Sequence, residues 1–452
     1  LVGVEDLTGG FVRLDLARQG VELQDTELEV RVAAILQHVR LVVPRLPTIV
    51  AYARKYDATE AGPEFEVLAT EEELCSARLS APEEAAIDQA IDRVRRFHEA
   101  QLTRITAGLR RDELGWAWDI PARALPTGLP MEGTGRIGQR LLPVLRAGVY
   151  APGGLATYPS SLVMNAVPAL VAGVREIVLA TPARPDGSLS PAVLYTAKRL
   201  GISRVIKAGG AYGIGALAYG TDDGRACEVI AGPGNRYVNE AKRQLWGKVG
   251  LDGFAGPSEV VVLLDESAEP RFAAADILTQ IEHAPDNFGC LIARSSHQLG
   301  EVMRHLENQL LGAPREAVMR QALAERGVAI VVERLSAACE FVNRIAPEHL
   351  SLLVADAVPY LAQIRNAGCV LVGPYSAQSS GDFVAGPSHT LPTNGGARFG
   401  SPTNVTTFLK FSSLIHLERE DLSALLPAIR EFGAIEGFPA HARAAAIRFE
   451  TP

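Results

Sequence analysis

Lysine is scarce in this 452-residue chain. It stands only at positions 55, 198, 207, 242, 248 and 410, and arginine supplies nearly all the positive charge. Lysine and arginine together number 44 against 52 acidic residues, a net charge of −8 at pH 7. A balance of that sign gives no electrostatic footing for nucleic acid. Cysteine is sparse too: the five thiols, at 75, 227, 290, 339 and 369, are scattered and form no Cys-x-x-Cys pair. They read as five buried thiols of a reducing, cytoplasmic compartment, not as a disulfide framework. Long apolar runs are missing. The best candidate, 161–174, is short and broken by Asn165 and Pro168, so no membrane span is expected. The given residues begin at Leu1 and carry no signal-peptide pattern. What remains is ordinary globular composition, 47% apolar and 21% charged, at a length that predicts two or more domains.

The first third of the chain has helical spacing, with apolar residues recurring every three to four positions over 27–40, 47–58 and 82–103. From about residue 142 the pattern changes. Short β-branched runs at 175–181, 203–209, 227–232, 258–265, 290–295, 328–333 and 368–373 alternate with helical stretches. That alternation predicts an α/β fold with parallel sheets covered by helices on both faces, and ligands at the carboxyl ends of strands. Ala-Gly-Pro recurs at 231–233, 255–257 and 385–387 without a fixed period, which predicts tight turns and no solenoid.

Few histidines are present, and three lie in short polar words: LTQIEHAPD (278–286), RIAPEHL (344–350) and GDFVAGPSHTLPTNGG (381–396). Gln280 and His283 are three apart in a helical pattern, so both fall on one helix face, where an amide oxygen and an imidazole can share a divalent metal such as zinc. The plain alternative is a satisfied core or surface histidine on an amphipathic helix. Glu348 and His349 are two proton-transfer groups side by side; the alternative is an acidic residue favoured at a helix start. Asp382 and His389 sit in a glycine- and proline-rich loop, and a decorated surface turn is their alternative. Ser258 precedes a strand and reads as a turn or capping serine. Glu436 and His441, in EGFPAHARAAAIR (436–448), read as solvated residues of an amphipathic terminal helix. A loose dinucleotide fingerprint, Gly213-x-Gly215-x-x-Ala218, follows the run at 203–209.

These words in this order resemble histidinol dehydrogenases. GVYAPGG (148–154), KAGGA (207–211), AGPGN (231–235), AGPSEV (255–260), QIEHAPD, APEHL, GDFVAGPSH and the terminal EGFPAHARAAAIR all fall where that family has its signatures, from about residue 10 to residue 448. The resemblance implies two Rossmann-like domains, one interrupted by the other, with a helical N-terminal arm and a C-terminal tail that crosses a dimer. The expected divisions are an arm at 1–45, the interrupted domain at 46–149 and 260–403, an inserted NAD-binding domain at 150–259, and the tail at 404–452.

The resemblance also implies one zinc ion per subunit, held by Gln280, His283, Asp382 and His441. It implies His349 as general base, Glu348 as the activator of water, and Ser258, His389 and Glu436 as further substrate contacts. NAD contacts would come from Tyr150, Tyr212 and Asn235. At 212 the family usually has glutamine, and Pro387-Ser388 before His389 is one local version of a variable pattern. The implied reaction is the four-electron oxidation of L-histidinol to L-histidine through L-histidinaldehyde by a homodimer with shared sites, the last step of histidine biosynthesis. Three other readings remain: a same-fold zinc and NAD dehydrogenase for another amino or sulfonated alcohol, a metal-dependent hydrolase, and a binding protein with a closed structural metal.

Overall fold

The computed structural model describes residues 4–5, 25–112, 115–122, 135–153, 157–222 and 225–450. Residues 1–3 and 6–24 of the expected arm, and Gly154 of GVYAPGG, lie outside them. The strands in chain order are β1 (Val4–Glu5), β2 (Arg110–Asp112), β3 (Gly115–Pro121), β4 (Arg136–Pro143), β5 (Arg146–Tyr150), β6 (Glu176–Thr181), β7 (Arg204–Lys207), β8 (Val229–Ala231), β9 (Gly250–Leu251), β10 (Glu259–Leu264), β11 (Phe288–Ala293), β12 (Gly327–Val331), β13 (His349–Leu353), β14 (Cys369–Val372) and β15 (Leu409–His416). All seven short runs expected to be strands are strands.

The chain divides into two compact units, Leu1–Gln101 with Val144–Phe408, and Leu102–Pro143 with Leu409–Pro452. The first holds two all-parallel sheets, β7-β6-β5-β8-β9 and β1-β12-β11-β10-β13-β14. Setting aside the short β1, both sheets take their strands third, second, first, fourth, fifth along the chain. This is the order of a doubly wound half, in which the winding reverses beside the first strand. Strands β5, β10, β11 and β13 are buried along their whole length. Continuous Val, Ile and Leu runs require that, because an uncovered face would leave them in water.

Alternation along the second sheet sorts its side chains. Val260, Val262, Leu264 and Leu353 pack with helices Pro270–Ile281, Ser296–Leu310 and Glu316–Arg326. Val261, Leu263, Leu350 and Leu352 pack with helix Leu335–Ile345 on the opposite face. A period of two therefore puts His349 and Ser351 on the face of Leu353. On the first sheet, helices Thr26–Leu41 and Arg45–Tyr56 share a core with helices Gly210–Tyr219 and Arg236–Leu245. Strand β5 opens at Arg146, ahead of the expected boundary at 150.

The second unit is an antiparallel sheet, β15-β4-β3-β2, with helices Arg419–Ile435 and Pro439–Ala446. Asp421 is buried and joins parts of this unit, accepting from Gly135 N at 2.9 Å and Glu418 N at 3.0 Å. The sequence pattern does not announce this sheet, because strands β4 and β15 alternate weakly and lie far apart in the chain. None of the five cysteines forms a disulfide; Cys227, Cys290 and Cys339 are buried, Cys369 is partly exposed and Cys75 exposed. Burial of the thiols thus holds for three of five. Among the described residues, no helix is long and apolar enough to cross a membrane.

Candidate active site

Helix Pro270–Ile281 ends one residue after Gln280. The sequence spacing placed Gln280 and His283 on one helical face, but the helix stops before His283. The cause is local: Asn287 Nδ2 donates to the Gln280 carbonyl at 2.7 Å, and Pro285 has no N–H with which to continue the ladder. Arg315 Nε donates to the carbonyl of Glu282 at 2.6 Å and holds the turn. Asn287 Oδ1 also accepts from Ser258 N at 2.9 Å. One buried asparagine, not singled out from the sequence, thereby joins the Gln280 and Ser258 words.

Asp382 lies on helix Gln378–Phe383. Its Oδ2 accepts from Gln280 Nε2 at 3.0 Å, and its Oδ1 is 3.5 Å from His349 Nε2. Burial pushes this carboxyl up, but the His349 hydrogen bond and the charges of His349, His389 and His283 outweigh it and hold Asp382 below the usual carboxylate range. His349 opens β13 and is buried. Pro347-Glu348 therefore begins a strand rather than the helix that was the plain alternative. Glu348 Oε2 accepts from Glu259 N at 3.1 Å and stands 3.6 Å from His349 Nδ1, which has no hydrogen-bond partner among the described residues. Burial disfavours the imidazolium, but the Glu348 and Asp382 carboxylates together push His349 up to about 10.

His389 is fixed from both sides. Its Nδ1–H donates to the Asp382 carbonyl at 2.5 Å, and Ser161 Oγ lies 3.2 Å from its Nε2. Burial lowers its pKa; with Nδ1 donating to a carbonyl, Nε2 of the neutral imidazole accepts from the Ser161 hydroxyl. Asn165, one turn after Ser161 on helix Pro159–Ala172, donates to Thr390 Oγ1 at 2.9 Å. Ser161 and Asn165 sit inside an apolar helical run, where Asn165 shows only as an interruption and nothing marks Ser161.

The three expected cofactor contacts lie at the carboxyl ends of strands of the first sheet. Tyr150 ends β5, its hydroxyl accepting from Gly210 N at 3.1 Å. Tyr212 is buried and donates its hydroxyl to Asp57, which also accepts from Gly209 N at 2.9 Å. Burial first, then the Asp57 carboxylate, raises the phenol's pKa. Tyr52 and Tyr56 stack against the Tyr212 ring, with centroids 5.7 and 6.3 Å away. Asn235 is exposed and caps helix Arg236–Leu245, accepting from Tyr237 N at 3.0 Å. Gly232, just after β8, has φ +125°, and a Cβ there would strike the Tyr150 carbonyl; the chain can pass the reversal point of this sheet only as glycine.

The acid–base set departs from the expected edge. Ser258, Asn287 and His349 precede or open β10, β11 and β13, the amino ends of the second sheet. Helix Pro270–Ile281 explains why. A crossover helix runs antiparallel to the strands it connects, so its last turn, with Gln280, arrives at the amino edge.

Glu436 and His441 belong to the second unit. Glu436 follows helix Arg419–Ile435, and His441 lies on helix Pro439–Ala446 against the Phe438 ring, at 5.3 Å between centroids. Both are exposed. The expected zinc ligands are thus divided, three in one unit and His441 in the other. Among the described residues no group of three or more His, Cys, Asp and Glu side chains forms a metal-binding set. Gln280 is not of those types, which leaves His283 and Asp382 as the only such donors in the first unit's share. Amide, imidazole and carboxylate are nonetheless the N/O donors that zinc accepts, and Asp382 already lies against Gln280 and within the field of His283.

These features define an α/β protein of two doubly wound parallel sheets with an acid–base pair at one sheet edge. A family model described as histidinol dehydrogenase matches residues 18–449. A histidinol dehydrogenase of Heliobacterium mobile is 38% identical over 430 residues, 95% of each chain. One of a Synechococcus strain is 47% identical over 312 residues, 69% of this chain and 72% of that one. The solved histidinol dehydrogenase of Elizabethkingia anophelis is 32% identical, with a TM-score of 0.82 over 93% of this chain and 92% of that one. The chain belongs to the histidinol dehydrogenase family, a family of oxidoreductases.

Proposed function

We propose that this protein oxidises L-histidinol to L-histidine through L-histidinaldehyde, with NAD and one zinc ion per subunit, as the last step of histidine biosynthesis in the cytoplasm. Besides family membership, the observation that supports this most is the Asp382 carboxylate held between the Gln280 amide and the His349 imidazole. Gln280, His283, Asp382 and His441 would hold the zinc, and Ser258, His389 and Glu436 would contact the substrate. When bound, zinc would orient the substrate's imidazole and amino group, and NAD would accept one hydride per oxidation.

His349 removes the hydroxyl proton as hydride leaves the carbinol carbon, giving the aldehyde. It must begin unprotonated. Burial of the ring favours that state. Glu348, anchored by Glu259 N, polarises the water that hydrates the aldehyde, and the second hydride leaves the hydrate as one of its hydroxyl protons is lost to solvent, giving the acid. Tyr150, Tyr212 and Asn235 line the NAD side, at the carboxyl ends of strands of the first sheet. The tail, 404–452, is read as crossing a two-fold dimer, so that His441 and Glu436 complete the partner's site. Exposed Phe432, Ile435 and Phe438 beside those two residues support that reading.

Incubation with L-histidinol and NAD, counting NADH per histidine formed, tests it. Two NADH per histidine are expected. Turnover only of another amino or sulfonated alcohol would change the substrate, and NAD-independent amide cleavage would make the protein a hydrolase.

A further inference from the structure

Each element that meets at Asp382 carries a second polar residue one step deeper in the fold. Asp276 lies one helical turn before Gln280, Gln378 one turn before Asp382, and Ser351 two residues beyond His349 on β13. Positions i and i+4 share a helix face, and i and i+2 share a strand face. If the upper three converge, the lower three are set to converge beneath them, and they do. Ser351 Oγ donates to Asp276 Oδ2 at 2.7 Å, Gln378 Nε2 donates to Ser351 Oγ at 2.8 Å, and Gln378 N donates to Asp276 Oδ1 at 3.3 Å. The ring is closed. Ser351 and Gln378 are fully buried, and Asp276 is 6% exposed.

A polar ring inside an apolar layer is not the most stable filling for that space. Burial pushes the Asp276 carboxyl above its usual range, and apolar replacements of buried polar groups often cost nothing in stability. What hydrogen bonds add is direction. Apolar contacts let helices slide and rotate over a sheet, whereas three directed bonds between two helices and a strand fix their separation and register.

We propose that Asp276, Ser351 and Gln378 are positioning residues, a buried ring that sets the spacing of Gln280, Asp382 and His349 one tier above. This rests on reading the upper tier as the zinc and acid–base site. The ring touches no substrate. It acts through the elements that carry the groups which do, as outer partners of metal ligands do elsewhere, where their loss weakens metal binding about 10–100-fold.

The test uses full-length protein stripped of metal and titrated with zinc against a chromophoric chelator, alongside steady-state kinetics and melting curves. Ser351→Ala and Gln378→Met each remove one side of the ring. Both should weaken zinc binding by roughly 10-fold or more and lower kcat, with KM for NAD unchanged. Ser351→Thr, which keeps the hydroxyl, should stay close to wild type. Ile330→Ala, on the opposite face of the sheet, calibrates loss of stability alone: it should melt earlier yet keep its zinc affinity. Zinc affinity and kcat in Ser351→Ala and Gln378→Met matching those of Ile330→Ala would overturn the ring. Wild-type protein that binds no zinc would instead overturn the reading of the site itself, and the ring's role with it.

Discussion

Tyr212 donates a hydroxyl hydrogen bond to the half-buried carboxylate of Asp57, 155 residues earlier in the chain. At a position where the sequence resemblance implies glutamine, this chain has a phenol bonded to Asp57 and stacked on Tyr52. Tyr212→Gln should therefore change the apparent constant for NAD and leave zinc content as it was. An altered constant for histidinol with NAD unaffected would place position 212 on the substrate side.

Zinc removal should abolish turnover without unfolding the protein. Three of the four proposed ligands, Gln280, His283 and Asp382, decorate a unit with extensive apolar clusters of its own, unlike a domain that folds around its metal. His283→Ala should behave like chelated wild type by circular dichroism and activity. Full activity in a demonstrably metal-free sample would end the zinc hypothesis.

The two oxidations should separate by mutation. His349→Ala should slow alcohol oxidation by about 10²–10⁴-fold, the usual loss when a positioned base is removed. Glu348→Gln should chiefly slow oxidation of supplied histidinaldehyde, which needs activated water. If it slowed only the alcohol step, the two roles would be reversed.

In metal-free protein the Glu348 and Asp382 carboxylates push His349 up from an ordinary 6.5 to about 10. A histidine raised on folding contributes stability that is fully present below its unfolded value and is lost as pH rises through its folded one. Between about pH 6.5 and 10, metal-free wild type should lose more melting temperature than metal-free His349→Asn. Equal losses would show that the two carboxylates do not hold the imidazole protonated.

Co-expression of His283→Ala with His441→Ala tests the shared site. Each homodimer should be inactive. In a two-fold dimer whose tails complete the partner's site, the heterodimer has one site with both defects and one with none, so about half the activity per dimer should return. A purified, folded heterodimer with zinc supplied and no activity would mean that each chain completes its own site.

Much of this protein was legible along the chain. The seven β-branched runs between helical stretches specified parallel sheets, because only strands covered on both faces can be apolar throughout. The words around Gln280, Glu348-His349 and Asp382 marked themselves as polar chemistry within or beside such runs. Local pattern carries that much, since backbone period and side-chain polarity are properties of neighbours. Tertiary structure decided the rest. It ended the Gln280 helix before His283 through Asn287, brought the acid–base group to the amino edge of its sheet, and built the antiparallel sheet of β2, β3, β4 and β15. It also paired Asp57 with Tyr212, and Asp276 with Ser351, 75 residues away. A buried serine or aspartate looks the same in sequence as a solvated one. Which of them meet depends on strand order and register, and those are fixed only when the whole apolar core closes.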